Sequence, residues 1–259
     1  MFGRVVVFAY GLACYLVFFA TFLYAIGFIG NWVVPKTMDS GPQGPFGTAL
    51  IVDALLLGIF AVQHSLMARQ SFKRALTRLV PEAAERSTYV LMSSLALILL
   101  FWQWRPMGGV LWDVQDTTLR VALSAVYLGG IGIVLVSTFL INHFDLFGLR
   151  QVWVHLKGGN YEPLPFRTPG PYRHVRHPLY VGWLITFWVT PTMTGAHLLF
   201  AIATTAYILV AIRFEEKDLV RFHGSHYENY RRTVPMIVPS LRPKYRTGVE
   251  DTPRAKTTG

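Results

Sequence analysis

RHPLYVGWLITFWVTPTMTGAHLLFAIATTAYILVAIRFEE, residues 176–216, is a long apolar run with charged residues at both ends. Pro191 and Gly195 interrupt it, leaving a short arm, 179–190, and a longer one, 196–212. The short arm cannot cross a hydrocarbon core upright as an ordinary helix, which takes about 20 residues. The run therefore reads as a broken helical hairpin whose turn lies within or near the far leaflet, both ends returning to one side. Its two feet, 173–180 and 213–232, become neighbours in space. Ionisable groups at such a place are costly and usually mark a functional site.

Outward from the hairpin, further apolar runs lie at roughly 5–30, 47–68, 87–104 and 119–141, each about long enough to span as a helix. The chain of 259 residues is 53% hydrophobic and 15% charged, which excludes an ordinary soluble domain. Arg4 ahead of the first run suits a signal peptide, but the run is too long and has no small-x-small cleavage site, so it reads as a retained helix. The expected architecture is an all-α integral membrane protein, with about four transmembrane helices and a C-terminal broken hairpin.

The net charge of +10 raises a nucleic-acid partner, and the placement of the charges excludes it. When loops are assigned to alternating sides, 21 of the 24 Lys and Arg fall on one side; only Lys36, Arg105 and Arg120 fall on the other. This is the positive-inside pattern. It puts both termini, the feet and any site on them in the cytoplasm, with the excess charge facing anionic lipid headgroups. The single cysteine, Cys14, excludes an intrachain disulfide.

Three parts follow: N-terminal membrane helices at 1–141, a core at 142–239, and a polar tail at 240–259 without apolar periodicity, expected to be disordered. The 31–46 loop is rich in Gly and Pro and should be irregular. Segment 69–86 carries Phe72, Leu76 and Leu79 at helical spacing among basic residues, as an interfacial helix does. Trp102, Trp104 and Trp112 read as interface anchors. No internal repeat is visible, which weighs against a transporter.

On the feet, R-H-P-x-Y-x-G (Arg176, His177, Pro178, Tyr180, Gly182) precedes R-x-E-E (Arg213, Glu215, Glu216), and F-H-G-x-x-Y-x-x-Y-x-x-x-V-P runs from Phe222 to Pro235. Together these resemble the C-terminal signature of the isoprenylcysteine carboxyl methyltransferase superfamily, integral-membrane enzymes that use S-adenosylmethionine. Segments 63–69 (QHSLMAR) and 142–153 (NHFDLFGLRQVW) resemble its thiol-methylating branch, which converts methanethiol to dimethyl sulfide. The resemblance implies a cytosolic cofactor, a small thiol substrate and a lipid-embedded site.

The residues on the feet suit that cofactor chemically. Arg213 can pair with its carboxylate in a forked contact. Glu215 or Glu216 can accept from the ribose or the ammonium, while Tyr172, Tyr180 and Tyr227 can line the purine. His174, Arg176, His177 and Pro178 complete the expected cofactor set. The H-x-x-H pairs His174/His177 and His223/His226 have a spacing that metal sites use. Pro178 directly follows the first pair, and the superfamily pattern accounts for the second, so no metal is expected.

Two more polar clusters fall at the same depth: Gln63-His64-Ser65, and Asn142-His143-Phe144-Asp145. A thiol is mostly protonated at neutral pH and the thiolate is the nucleophile, so a positioned base is needed. His143 oriented by Asp145, beside Asn142, is the expected base, with His64 the competing one. Rival acceptors are a prenylcysteine carboxylate or a phospholipid amine. An NADPH-dependent sterol-reductase-like enzyme is disfavoured, because Glu215 and Glu216 suit phosphates poorly.

Overall fold

The computed structural model describes residues 1–240; the polar tail beyond Ser240 lies outside them. The long elements are α1 (Phe2–Gly30), α2 (Phe46–Met67), α4 (Glu85–Gln103), α5 (Thr117–Ile141) and α9 (Gly195–His223). Between and after them lie α3 (Gln70–Leu76), α6 (His143–Leu146), α7 (Leu149–Leu156), α8 (Pro178–Trp188) and α10 (Ser225–Thr233). Two short strands, β1 (Val110–Asp113) and β2 (Thr192–Thr194), pair antiparallel.

Five helices are long and apolar enough to cross a membrane, counting the 3₁₀ turn at Glu82–Ala84 with α4. Leu16, Leu55, Val121, Leu128, Ile202 and Leu209 stand exposed along them, as lipid-facing side chains do. Four of these and the longer hairpin arm match the expected spans, and the arm is longer than its apolar run. The longer arm does not stop at 212 but continues as one helix of 29 residues to His223. Charged residues at 213–223 extend it because a helix leaving the membrane keeps its own backbone hydrogen bonds.

The short arm behaves as its length demands. α8 has only 11 residues, about 16 Å at 1.5 Å each. Extended backbone completes the crossing and pairs as β2 with β1, so the fold is not purely helical. Peptide groups freed at the Pro191 break are satisfied there: Val114 N donates to Pro191 O at 3.0 Å. The molecule thus has a strand end and, opposite it, a foot end where α2, α5 and α9 finish and α4 and α8 begin.

α8 lies against α5 at backbone contact. A Cβ on Gly182 would sit 2.7 Å from Gly130 O, and one on Gly130 2.7 Å from Thr186 Oγ1. Two facing glycines let the helices approach this closely, and dispersion then holds them where no hydrophobic force acts between helices in lipid. Pro178 opens α8 at its first position, where a missing N–H costs nothing. The basic 69–86 segment forms α3, a linker and the 3₁₀ turn. Phe72 and Leu76 pack on Met67, Tyr89 and Val90, while Leu79 is exposed.

Candidate active site

The feet meet as the sequence requires. Residues 234–240 return along 174–177: Arg176 N donates to Pro235 O at 2.8 Å, His177 N to Met236 O at 3.3 Å, and Ser240 N to His174 O at 2.9 Å. His174 Nδ1 lies 2.9 Å from Ser240 O, which spends that ring nitrogen on the return segment. Arg176 donates through Nη1 to Arg231 O and Val234 O, at 2.8 and 2.6 Å. These bonds lock α10 and the return segment onto the first foot.

Glu216 joins the two feet. Its Oε1 accepts from Arg176 Nε at 2.7 Å and lies 3.1 Å from His177 Nε2, with all three side chains at most 10% exposed. Glu215 projects to the other side of α9 and is half exposed; its Oε2 accepts from the Tyr180 hydroxyl at 2.9 Å and lies 3.9 Å from His177 Nδ1. Arg213, Glu216, Lys217, Val220 and Arg231 line an open cleft of about 290 Å³. Arg213 is exposed and has no acidic partner among the described residues.

Tyr172 and Tyr227 are buried beside this pair of carboxylates, and neither hydroxyl has a hydrogen-bond partner among the described residues. Burial raises both phenols well above their ordinary value; negative charge at Glu215 adds to it for both, and at Glu216 for Tyr227. Both therefore remain O–H donors at physiological pH. A buried donor without an acceptor costs free energy, and a ligand rich in acceptors removes that cost.

The two upstream histidines are built alike. At His143, the Thr138 hydroxyl donates its one hydrogen to Leu135 O at 2.7 Å, so its oxygen accepts from His143 Nδ1–H at 2.9 Å. Nε2 is then the lone-pair nitrogen and accepts from Tyr15 O–H at 2.9 Å. At His64, Ser93 donates to Tyr89 O at 3.0 Å and accepts from Nδ1–H at 3.1 Å. The Tyr89 hydroxyl lies 2.8 Å from Nε2 and 3.1 Å from Nδ1, so it faces both ring nitrogens, whereas Tyr15 meets only Nε2 of His143.

Their surroundings differ. His143 is buried, stacked on Phe139 at 4.3 Å and enclosed by Phe144, Phe147 and Tyr15; burial lowers its proton affinity. The expected pairing with Asp145 is corrected. The Asp145 carboxylate accepts from Arg150 Nη1 at 2.9 Å and Tyr161 O–H at 3.3 Å, so it is spent on the 149–162 segment. Asn142 breaks the chain between α5 and α6 at φ 144°, and its Oδ1 caps Asp145 N at 3.0 Å. His64 stacks on Phe60 and lies 6.3 Å, ring to ring, from Tyr207 of α9. On the feet, the Tyr180 hydroxyl donates to Glu215, and Tyr89 and Tyr207 lie within electrostatic range of it without a hydrogen bond to it among the described residues.

Sequence reading missed Tyr89, Ser93 and Tyr207 here, and Tyr15 and Thr138 around His143. One signal was available. Tyr89 and Ser93 lie four residues apart, hence on one face of an otherwise apolar helix.

Residues 122–226 match the family model described as phospholipid methyltransferase. That match, on a chain with five helices apolar and long enough to cross a membrane among the described residues, marks a methyltransferase of the membrane-associated kind. The chain is 57% identical to the methanethiol S-methyltransferase of Crocosphaera subtropica over 242 residues, 93% of this chain and 95% of that one. It is 55% identical to the enzyme of that name from Mycobacterium tuberculosis over 230 residues, 89% and 94% of the two chains. It is also 34% identical to mouse nurim over 180 residues, 66% of this chain and 68% of that one. No solved structure matches. The chain belongs to the methanethiol S-methyltransferase family.

Proposed function

We propose that the chain transfers a methyl group from S-adenosylmethionine to methanethiol, giving dimethyl sulfide, and that its foot end and both termini face the cytoplasm. The carrying observation is the pair of buried, partnerless hydroxyls of Tyr172 and Tyr227 beside Glu215 and Glu216. The donor set fits this cofactor. Tyr172 and Tyr227 offer hydrogens to its acceptors, Glu215 accepts from its ribose or ammonium, and Arg213, with Lys217 and Arg231 in the same cleft, meets its carboxylate. Glu216, Arg176, His177 and His174 hold the feet together around it, and Pro178 fixes where α8 starts.

When bound, S-adenosylmethionine supplies an electrophilic methyl group on a sulfonium. The protein must position the thiol, take its proton and exclude water. His64 is the better-placed base, because its neighbours Tyr89 and Tyr207 lie within electrostatic range of Tyr180, which meets Glu215, whereas aromatic rings enclose His143. The thiol proton passes to the Tyr89 oxygen as Tyr89 gives its own to His64 Nε2. Ser93 holds the opposite ring nitrogen in the required tautomer. The thiolate so formed would be the nucleophile for the methyl group that S-adenosylmethionine would supply. An apolar thioether can then leave through lipid.

The test is purified protein in detergent with S-adenosylmethionine and methanethiol, dimethyl sulfide being read by headspace gas chromatography. We expect product from the wild type and loss of cofactor binding in Glu215→Ala by calorimetry. Cofactor bound without product would move the acceptor to a prenylcysteine or a phospholipid amine. Folded protein that binds no cofactor would sink the reading.

A further inference from the structure

Among the described residues, three Lys and Arg lie at the strand end, and two of them share one cleft. Arg120 is engaged in an ion pair with Asp113 at 2.8 Å. Lys36 and Arg105 line an open cleft of about 290 Å³ with Ser40, Gly41, Pro42, Gly44, Trp104 and Pro106. Neither has a carboxylate within ion-pair distance among the described residues. The fully buried Asp53 is not part of the lining; its Oδ1 accepts from Arg105 N at 3.0 Å, which fixes the backbone that carries the guanidinium. Lys36 Nζ donates to Trp102 O, leaving its other two hydrogens available. Trp104, only 1% exposed, forms part of the wall, with its indole N–H buried behind it.

The wall of the cleft is preformed. The 31–46 loop is irregular, as its Gly and Pro content predicts, but it is tied down at several points. Met38 N donates to Phe28 O at 3.0 Å, Thr37 N to Ser40 Oγ at 2.8 Å, and Asn31 Nδ2 to Asp39 Oδ2 at 2.5 Å. Thr194 of β2 donates to Asp39 Oδ1. Two cations on a fixed wall form an oxyanion site by their chemistry. Exposed Trp32, Trp102 and Trp112 ring the same end, as they do at headgroup depth.

We propose that this cleft binds a phosphate oxyanion, supplied by the headgroup of an anionic phospholipid in the leaflet at the strand end. The site is independent of the methyl-transfer site at the foot end and takes no part in that chemistry.

The test uses the full chain, delipidated in detergent, with short-chain phosphatidylglycerol, phosphatidylcholine or inorganic phosphate added. Native mass spectrometry reads occupancy and thermal unfolding reads stabilisation. We expect phosphatidylglycerol to bind about tenfold tighter than phosphatidylcholine, and the double variant Lys36→Ala/Arg105→Ala to lose that preference. Arg120→Ala should keep it. If the double variant does not fold, Lys36→Gln and Arg105→Gln are read singly, each expected to weaken binding. Inorganic phosphate that binds and displaces the lipid would support the oxyanion site but assign it a soluble ligand. Equal binding of the two lipids by the wild type, or undiminished phosphatidylglycerol binding by the variants, would overturn the proposal.

Discussion

His64 and His143 are held by the same device, yet the structure gives them different positions. In each, a hydroxyl whose hydrogen goes to a backbone carbonyl takes Nδ1–H, and a tyrosine hydroxyl donates to Nε2. The one local difference is that Tyr89 reaches both ring nitrogens of His64 while Tyr15 reaches only one of His143, and the neighbouring helices separate the two further. His143 packs among Tyr15, Phe139, Phe144 and Phe147, while His64 faces Tyr89 and Tyr207 on the side of the hairpin feet. A tautomer-locked histidine is therefore an equally good structural post or proton acceptor. What distinguishes the roles is whether its polar neighbours lie within electrostatic range of the site.

The largest expected effect separates the pair outright. His64→Ala should lower turnover by about a hundredfold or more at unchanged cofactor affinity, since a positioned base contributes roughly 10²–10⁴. Initial rates by headspace chromatography, with calorimetry alongside, check both halves. A loss under about fivefold would return the base to His143.

His143→Ala should act on stability instead. It leaves the Tyr15 and Thr138 hydroxyls without their partner and opens a cavity among three phenylalanines, costing about 3 kcal/mol. Turnover per folded molecule should fall less than about fivefold. Denaturation in detergent beside the activity assay reads the two quantities separately.

A subtler contrast lies in the tyrosines. Tyr89→Phe should cost about tenfold in turnover, because it breaks the relay while His64 remains, whereas Tyr15→Phe should cost less than about twofold. Equal losses would erase the distinction drawn between the two sites.

The smallest effect is on pH dependence. Burial holds His143 below its ordinary value of 6.5, so the unfolded chain takes up that proton first on acidification. Its contribution to stability is therefore fully present above about pH 6.5 and is lost as pH falls from there towards the lowered folded value. In His143→Phe the fall in melting temperature between neutral and mildly acidic pH should be shallower than in the wild type. An identical slope would show that other groups carry it.

Much of this was legible in the chain. Apolar runs of spanning length located the long helices, and Pro191 with Gly195 located the hairpin break, because membrane thickness and proline's missing N–H act on sequence directly. The order R-H-P-x-Y-x-G, R-x-E-E and F-H-G-x-x-Y marked both feet. The Asp145 assignment failed because adjacency on a short helix says nothing of direction: Arg150, one turn on, captures the carboxylate. The β1–β2 pair was hidden for a similar reason. Neither VLWD nor TMT carries a strand pattern of its own, and each is fixed by a partner 79 or more positions away along the chain.

The sequence by itself determined that this chain enters a membrane, how its basic charge is divided along the chain, and which two polar segments flank the hairpin. Those follow from hydropathy, length and charge, which are additive along a chain. Only the tertiary structure decided that Glu216 joins the feet through Arg176 and His177, that two tyrosine hydroxyls stay unpaired beside it, and that His64 packs against Tyr89 and Tyr207 while His143 packs among phenylalanines. These depend on the direction of side chains from five different helices, and direction is set by close packing such as that of Gly130 on Gly182, not by any one segment's composition.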